Sequence, residues 1–89
     1  MTPATPKPLP QLVAAARLKA ALAEADRHRD AGRKTEAAQA YGLALSIDAD
    51  RDDVRVQLGN MLKDTGDFAG AEAAYRAVLA RRPNEPDVF

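Results

Sequence analysis

Cysteine is absent from the 89 residues, which removes disulfides, thiolate metal ligands and a cysteine nucleophile together. Tryptophan is absent as well, and two tyrosines and two phenylalanines are the whole aromatic content. So few aromatics beside so much alanine argue for close-packed helices over a sheet. Neither sign of charge is in excess, with 13 basic and 13 acidic residues, so no net field favours nucleic acid or an anionic membrane surface. No apolar run approaches the roughly 20 residues that span a bilayer. The opening MTPATPKPLP lacks the uninterrupted apolar stretch of a signal peptide. The expectation is a cytoplasmic, soluble chain with no more than one small domain, near the size where a core only just outweighs chain entropy.

What is present is unevenly placed. Prolines 3, 6, 8 and 10 crowd the first ten residues, so 1–10 reads as a disordered or polyproline-like arm. PATPKPLP carries no strong motif for a proline-binding partner. Pro10 suits the opening of a helix, where its missing amide proton costs little.

Beyond the arm the chain repeats itself. Displaced by 34 residues, GRKTEAAQAYGLALSIDAD falls on GDFAGAEAAYRAVLARRPN. Gly32 meets Gly66, Ala37 meets Ala71, Ala40 meets Ala74, Tyr41 meets Tyr75 and Leu45 meets Leu79, while Ala44 meets Val78. Each glycine follows a helical segment and can take the left-handed conformation that ends it. Ala37 and Ala71 sit early in the helix that follows, where a methyl side chain lets two backbones approach. Tyr41 with Leu45, and Tyr75 with Leu79, are spaced i and i+4 and so form one apolar stripe in each unit. Between units, Asp50-Arg51-Asp52-Asp53 reads as a cap, with Asp50 accepting amide protons and Asp53 three residues on. The resulting map is all-α, with helices at 11–31, 35–47, 52–64 and 68–81.

A 34-residue period built of two helices is that of the tetratricopeptide repeat. Leu58-Gly59, Leu62, Gly66-Asp67-Phe68, Ala71, Tyr75 and Pro83 resemble that family's signature, occupying the positions of its Leu-Gly, Tyr, Gly, Ala, Phe and Pro. Arg55 departs from it, standing at the tryptophan-like position. The resemblance spans residues from about 18 to 89 and implies an α-solenoid with repeat 1 over 11–51 and repeat 2 over 52–85. In the closing PNEPDVF, Asn84 and Asp87 repeat Asp50 and Asp53, and Phe89 takes the large aromatic's place. Residues 86–89 thus read as the start of an unfinished third repeat, and the chain as a cut from a longer array.

The first helix is longer than a repeat requires: 21 residues make a rod of about 31 Å. Within it Glu24 and Arg27 stand where the second repeat has Leu58 and Met61. A buried unpaired charge costs several kcal/mol, so that side of the helix should be wet, as suits a terminal repeat with no predecessor. The extra turns, bearing Leu12 and Val13, and Leu18 beyond them, are expected to fold over the end or to reach for a partner.

Reaction chemistry finds little footing. A general base needs a nucleophile and an orienting group, and His28, the only histidine, has no evident connection to Ser46, the only serine. It reads instead as a histidine favoured near a helix C-terminus. DADRDD begins like a calcium loop, but its sixth position is Asp53 and its twelfth Gly59, where glycine and glutamate are required. Arg81-Arg82 reads as cations on the last carbonyls of a helix. Gly42 and Gly70, inside helices, have no functional account. No cofactor, no metal and no enzyme activity is expected.

The family resemblance implies a protein-interaction module whose first helices line a groove for an extended peptide or a partner helix. The groove positions it implies are Lys19, Leu22, Asp26, Arg29 and Asp30 in the first repeat, then Asp53, Val56, Asn60, Lys63 and Asp64 in the second. Members that clamp a terminal carboxylate use a lysine and an asparagine where this chain has Leu22 and Asp26, and Asp26 would repel that ligand. Asn60, Lys63 and Arg29 are expected to be the most exposed to a partner. A second expectation is self-association through the last helix, by Phe68, Ala71, Val78 and Leu79 together with Phe89, since solenoids usually need more than two repeats. A third is that the chain precedes a catalytic domain, because VQLGNMLKDTGDFAGAEAAYRAVLARRPNEPDVF is similar to the N-terminal repeats of bacterial glycosyltransferases.

Overall fold

The computed structural model describes residues 8–81. It contains four helices, α1 (Leu9–Asp30), α2 (Lys34–Ile47), α3 (Asp52–Thr65) and α4 (Phe68–Arg81). The expected starts and ends hold to within two residues. The largest difference is at α1, which begins at Leu9 because Pro10 sits in the first turn, where no intrahelical bond is lost. Pro83, Asn84, Asp87 and Phe89, with the third repeat they suggest, lie outside the described residues.

Turn chemistry sets the connections. Gly32 and Gly66 hold φ of 80° and 92°, the left-handed region that side chains with a Cβ rarely adopt. Gly66 closes α3, its amide donating to Leu62 and Lys63 carbonyls. Asp67 then opens α4, its Oδ1 accepting the Gly70 amide at 2.9 Å, as an N-cap residue does for the third amide of a helix. The start of α3 is made differently from the cap expected there. Arg51 occupies the cap position, and its side chain makes no capping bond to the helix amides. Asp50 turns its carboxylate to Arg81 at 2.9 Å, and Asp53 takes a two-point contact from Arg51 at 3.0 and 2.9 Å.

Extensive packing is between consecutive helices, α1 on α2, α2 on α3 and α3 on α4. Small residues fill the crossings: Ala25 and Ala37 are fully buried and Ala44 nearly so. Tyr41, 1% exposed, is the bulkiest side chain enclosed by the fold. At α3–α4 the approach is tighter still. A Cβ added at Gly59 would lie 2.5 Å from Cε1 of Tyr75, so the ring packs directly on the α3 backbone. Glu24 and Arg27 are exposed on the outer side of α1, as their charge requires.

The long first helix leaves its extra turns bare. Leu9, Leu12 and Val13 are exposed, whereas Leu18 packs at the core edge. The extension therefore does not fold back over the end of the bundle. Among the described residues, no helix is long and apolar enough to cross a membrane.

Candidate functional site

A hollow of about 250 Å³ opens beside α1 and α3, lined by Leu22, Asp26, Arg29, Tyr41, Arg51, Asp53, Val54 and Gln57. Its floor is a network of side chains. The Tyr41 hydroxyl, rising from α2, donates to Asp26 Oδ1 at 2.7 Å. Arg29 Nη1 donates to that hydroxyl at 3.1 Å and to Gln57 Oε1 at 3.5 Å, bridging α1 to α3. Arg29 Nε and Nη2 both meet Asp30, each at 3.1 Å.

The second repeat reproduces the central bond with one change of chemistry. Tyr75 donates its hydroxyl to Asn60 Oδ1 at 2.6 Å, again across 15 residues. A phenol from the second helix of each repeat thus fixes a polar side chain on the first. In repeat 1 that side chain is a carboxylate; in repeat 2 it is an amide, left with its two N–H donors.

Burial, reinforced by the bond to Asp26, pushes the Tyr41 phenol up from 10.0 to about 12. The hydrogen bond that Arg29 donates to Asp30, with the nearby Tyr41 and Asp26, raises its guanidinium above the usual range. An acid whose folded pKa is raised stabilises the fold fully below its unfolded value and loses that contribution as pH climbs to the folded one. The stability that Tyr41 supplies is therefore expected to hold to roughly pH 10 and to drain away toward about pH 12. Urea midpoints taken across that window should fall, and Tyr41→Phe should flatten the fall.

Of the groove positions inferred from sequence, Leu22, Asp26, Arg29 and Asp53 come together at the hollow. Arg29 is not the free probe expected of it: it is only part-exposed, and each of its three nitrogens has a partner within the chain. Asn60 and Val56 are half-buried on α3, and Lys19 is exposed on α1. Asp64 bonds Lys34 Nζ at 2.8 Å, a contact that holds its carboxyl below the usual range. Lys63 lies on a second, mostly apolar groove of about 400 Å³ with Phe68, Ala71, Glu72, Tyr75, Arg76 and Leu79.

That groove corrects the self-association surface. Val78 is 1% exposed and enclosed within the bundle, so it offers nothing to a partner. Ala71, Ala74 and Val78 form the buried side of α4, while Phe68, 68% exposed, shares the groove with Tyr75 and Leu79. Phe89 is outside the described residues.

Tyr41, Arg51 and Gln57 were not inferred as groove residues, although the 15-residue spacing of Asp26–Tyr41 and Asn60–Tyr75 was there to be found. Arg81 does more than serve its own helix end: its guanidinium reaches Asp50 Oδ1 at 2.9 Å and Asp52 Oδ1 at 3.1 Å. Arg55, at the tryptophan-like position, donates to the Ala49 carbonyl at 2.6 Å and ties α3 to the preceding loop.

His28 and Ser46 are engaged with different partners. His28 accepts from Arg33 Nε at 2.8 Å through Nδ1, and Ser46 donates to the Leu43 carbonyl at 2.6 Å. Among the described residues, no group of three or more histidine or acidic side chains is placed to hold a metal.

Comparison with known proteins agrees with the repeat architecture. The family model of the tetratricopeptide repeat matches residues 28–89, from the end of α1 onward, and so leaves out the part of α1 where Glu24 and Arg27 depart from the apolar pattern of repeat 2. No curated protein and no solved structure gave a match. The match covers well over half of the sequence, and the chain belongs to the tetratricopeptide repeat family.

Proposed function

We propose that the chain is a non-catalytic interaction module that holds an extended peptide along the face formed by α1 and α3. Repeats of this family generally serve as scaffolds for protein or peptide partners. The observation that carries the reading here is the hollow between the two first helices, with Asp26 fixed from beneath by Tyr41, and with Asn60 further along α3 held in the same way by Tyr75. Pre-positioned polar groups lower the ordering cost of binding. Asn60, its oxygen engaged by Tyr75, presents amide protons to a peptide carbonyl.

Retention of a degenerate decapeptide library on the immobilised chain tests this. Gln57→Ala combined with Asn60→Ala should lower retention about tenfold, the loss of one or two net hydrogen bonds. Undiminished retention by the folded double variant would count against the groove.

The apolar groove of α4 favours a second reading, homodimerisation. Phe68 there is exposed and Leu79 only half-buried, whereas on α2 the stripe of Tyr41 and Leu45 lies buried. Sedimentation across micromolar concentrations should show dimer for the native chain and monomer for Phe68→Glu. A native chain that stays monomeric removes this reading.

A further inference from the structure

We infer that the hollow beside α1 and α3 receives a cationic side chain, lysine or arginine, from the bound peptide, with the carboxylate of Asp26 as its anchor. The inference rests on the peptide-groove reading and specifies its ligand.

The polar groups around the hollow are unequally engaged. Arg29 directs Nε and Nη2 to Asp30 and Nη1 to Tyr41 and Gln57, so every nitrogen of its guanidinium has a partner in the chain. Arg51 places Nε and Nη2 on the two oxygens of Asp53. An anionic ligand group therefore meets two cations already paired with other residues. Competing for Arg29 would mean breaking bonds that hold α1 to α2 and α3, and competing for Arg51 would mean displacing Asp53.

The acceptors are in the opposite condition. Asp26 accepts the Tyr41 proton through Oδ1 and lies 3.5 Å from Arg29 through the same atom, yet its side chain remains 54% exposed. Its Oδ2 carries lone pairs with no role in the network described. Arg29 is shared by two carboxylates, Asp26 lining the hollow and Asp30 outside its lining, so this group of three keeps a negative charge. Asp53 adds a further carboxylate at the rim, balanced by Arg51. The hollow, about 250 Å³, is below the size of a drug-like site and suited to a single side chain. Leu22 and Val54 on its wall offer apolar contact to the methylene stem of a lysine or arginine, whose charged end can reach on to water or carboxylate.

Tyr41 is the positioning residue. By holding Oδ1 it fixes the Asp26 rotamer and leaves Oδ2 to the hollow. Repeat 2 shows what the same clasp does with an amide: Tyr75 holds the oxygen of Asn60 and leaves its donors outward. The two repeats thus offer a ligand opposite chemistries, an acceptor first and a donor second.

Three immobilised peptide libraries decide the matter, each degenerate except for one central residue fixed as Lys, Glu or Leu. The 89-residue chain should be retained about fivefold more on the Lys library than on the Glu library at low salt, a preference that shrinks as salt is raised. Asp26→Asn should abolish the preference and keep the fold, checked by circular dichroism, since Asn60 shows that an amide accepts the tyrosine proton equally well. In the native chain, n-butylammonium should release Lys peptides while butyrate at equal ionic strength does not; this arm needs no variant. Equal retention of Lys and Glu libraries, a preference that survives Asp26→Asn, or no release by n-butylammonium overturns this inference alone. Retention of none of the three overturns the groove reading and this inference with it.

Discussion

Replacing Tyr41 with alanine is expected to cost about 3–5 kcal/mol, the usual loss for truncating a buried aromatic. For so small a domain the whole stability is on the order of 5 kcal/mol. Tyr41→Ala should therefore populate unfolded chain visibly in the absence of denaturant. Two losses combine: the ring is 1% exposed at the centre of the core, and its hydroxyl joins Asp26 and Arg29. Tyr41→Phe isolates the second, and should cost about 1–2 kcal/mol because the bonds it removes are to charged partners that can turn to water. Urea denaturation of the three proteins measures both steps. If Tyr41→Phe were as damaging as Tyr41→Ala, the ring would not be the main support of this core.

The second large effect is expected at Gly59. Gly59→Val should destabilise by about 2–3 kcal/mol, since overpacking of this kind forces side chains and backbone apart. Its Cβ would meet Tyr75 Cε1 at 2.5 Å, and the ring cannot swing freely while its hydroxyl is held by Asn60. Gly42 provides the opposite control. It lies mid-helix in α2 with nothing within 4 Å of where a Cβ would be. Gly42→Ala should therefore raise stability by up to about 1 kcal/mol, the difference in helix propensity. Thermal melts of the pair would move in opposite directions. Equal shifts of the same sign would mean that helix propensity, not ring contact, governs both glycines.

Why the helices were legible and the hollow only partly so follows from what a repeating sequence encodes. Burial imposes a spacing on apolar and small residues, so Ala37, Tyr41 and Leu45 announce a helix and its inward face before any fold is known. Recurrence 34 residues later makes the reading firm. A hydrogen bond between side chains leaves no such trace. Asp26 and Tyr41 are 15 residues apart on different helices, and the apolar pattern that turns the Tyr41 ring inward does not say which acceptor its hydroxyl finds. Arg81 failed for a related reason. Its partners Asp50 and Asp52 lie about 30 residues earlier in the chain, and become neighbours only once α4 has packed on α3. Val78 shows a limit of periodicity itself. α4 carries apolar residues on two sides, and the pattern alone does not say that Ala71, Ala74 and Val78 face in while Phe68 and Leu79 face out.

The two ends of the bundle have unlike surfaces, and the difference gives the molecule a direction of growth. A helix laid over the outer side of α1 would have to strip water from Glu24 and Arg27, at several kcal/mol unless each found a partner. A helix laid over α4 would instead cover Phe68, Tyr75 and Leu79, surface that water solvates poorly. Stacking is thus permitted on one side and resisted on the other, as in a column with a finished foot and an open top. Another helical unit grafted after Arg81 would find a seat waiting, and the same unit grafted ahead of α1 would not.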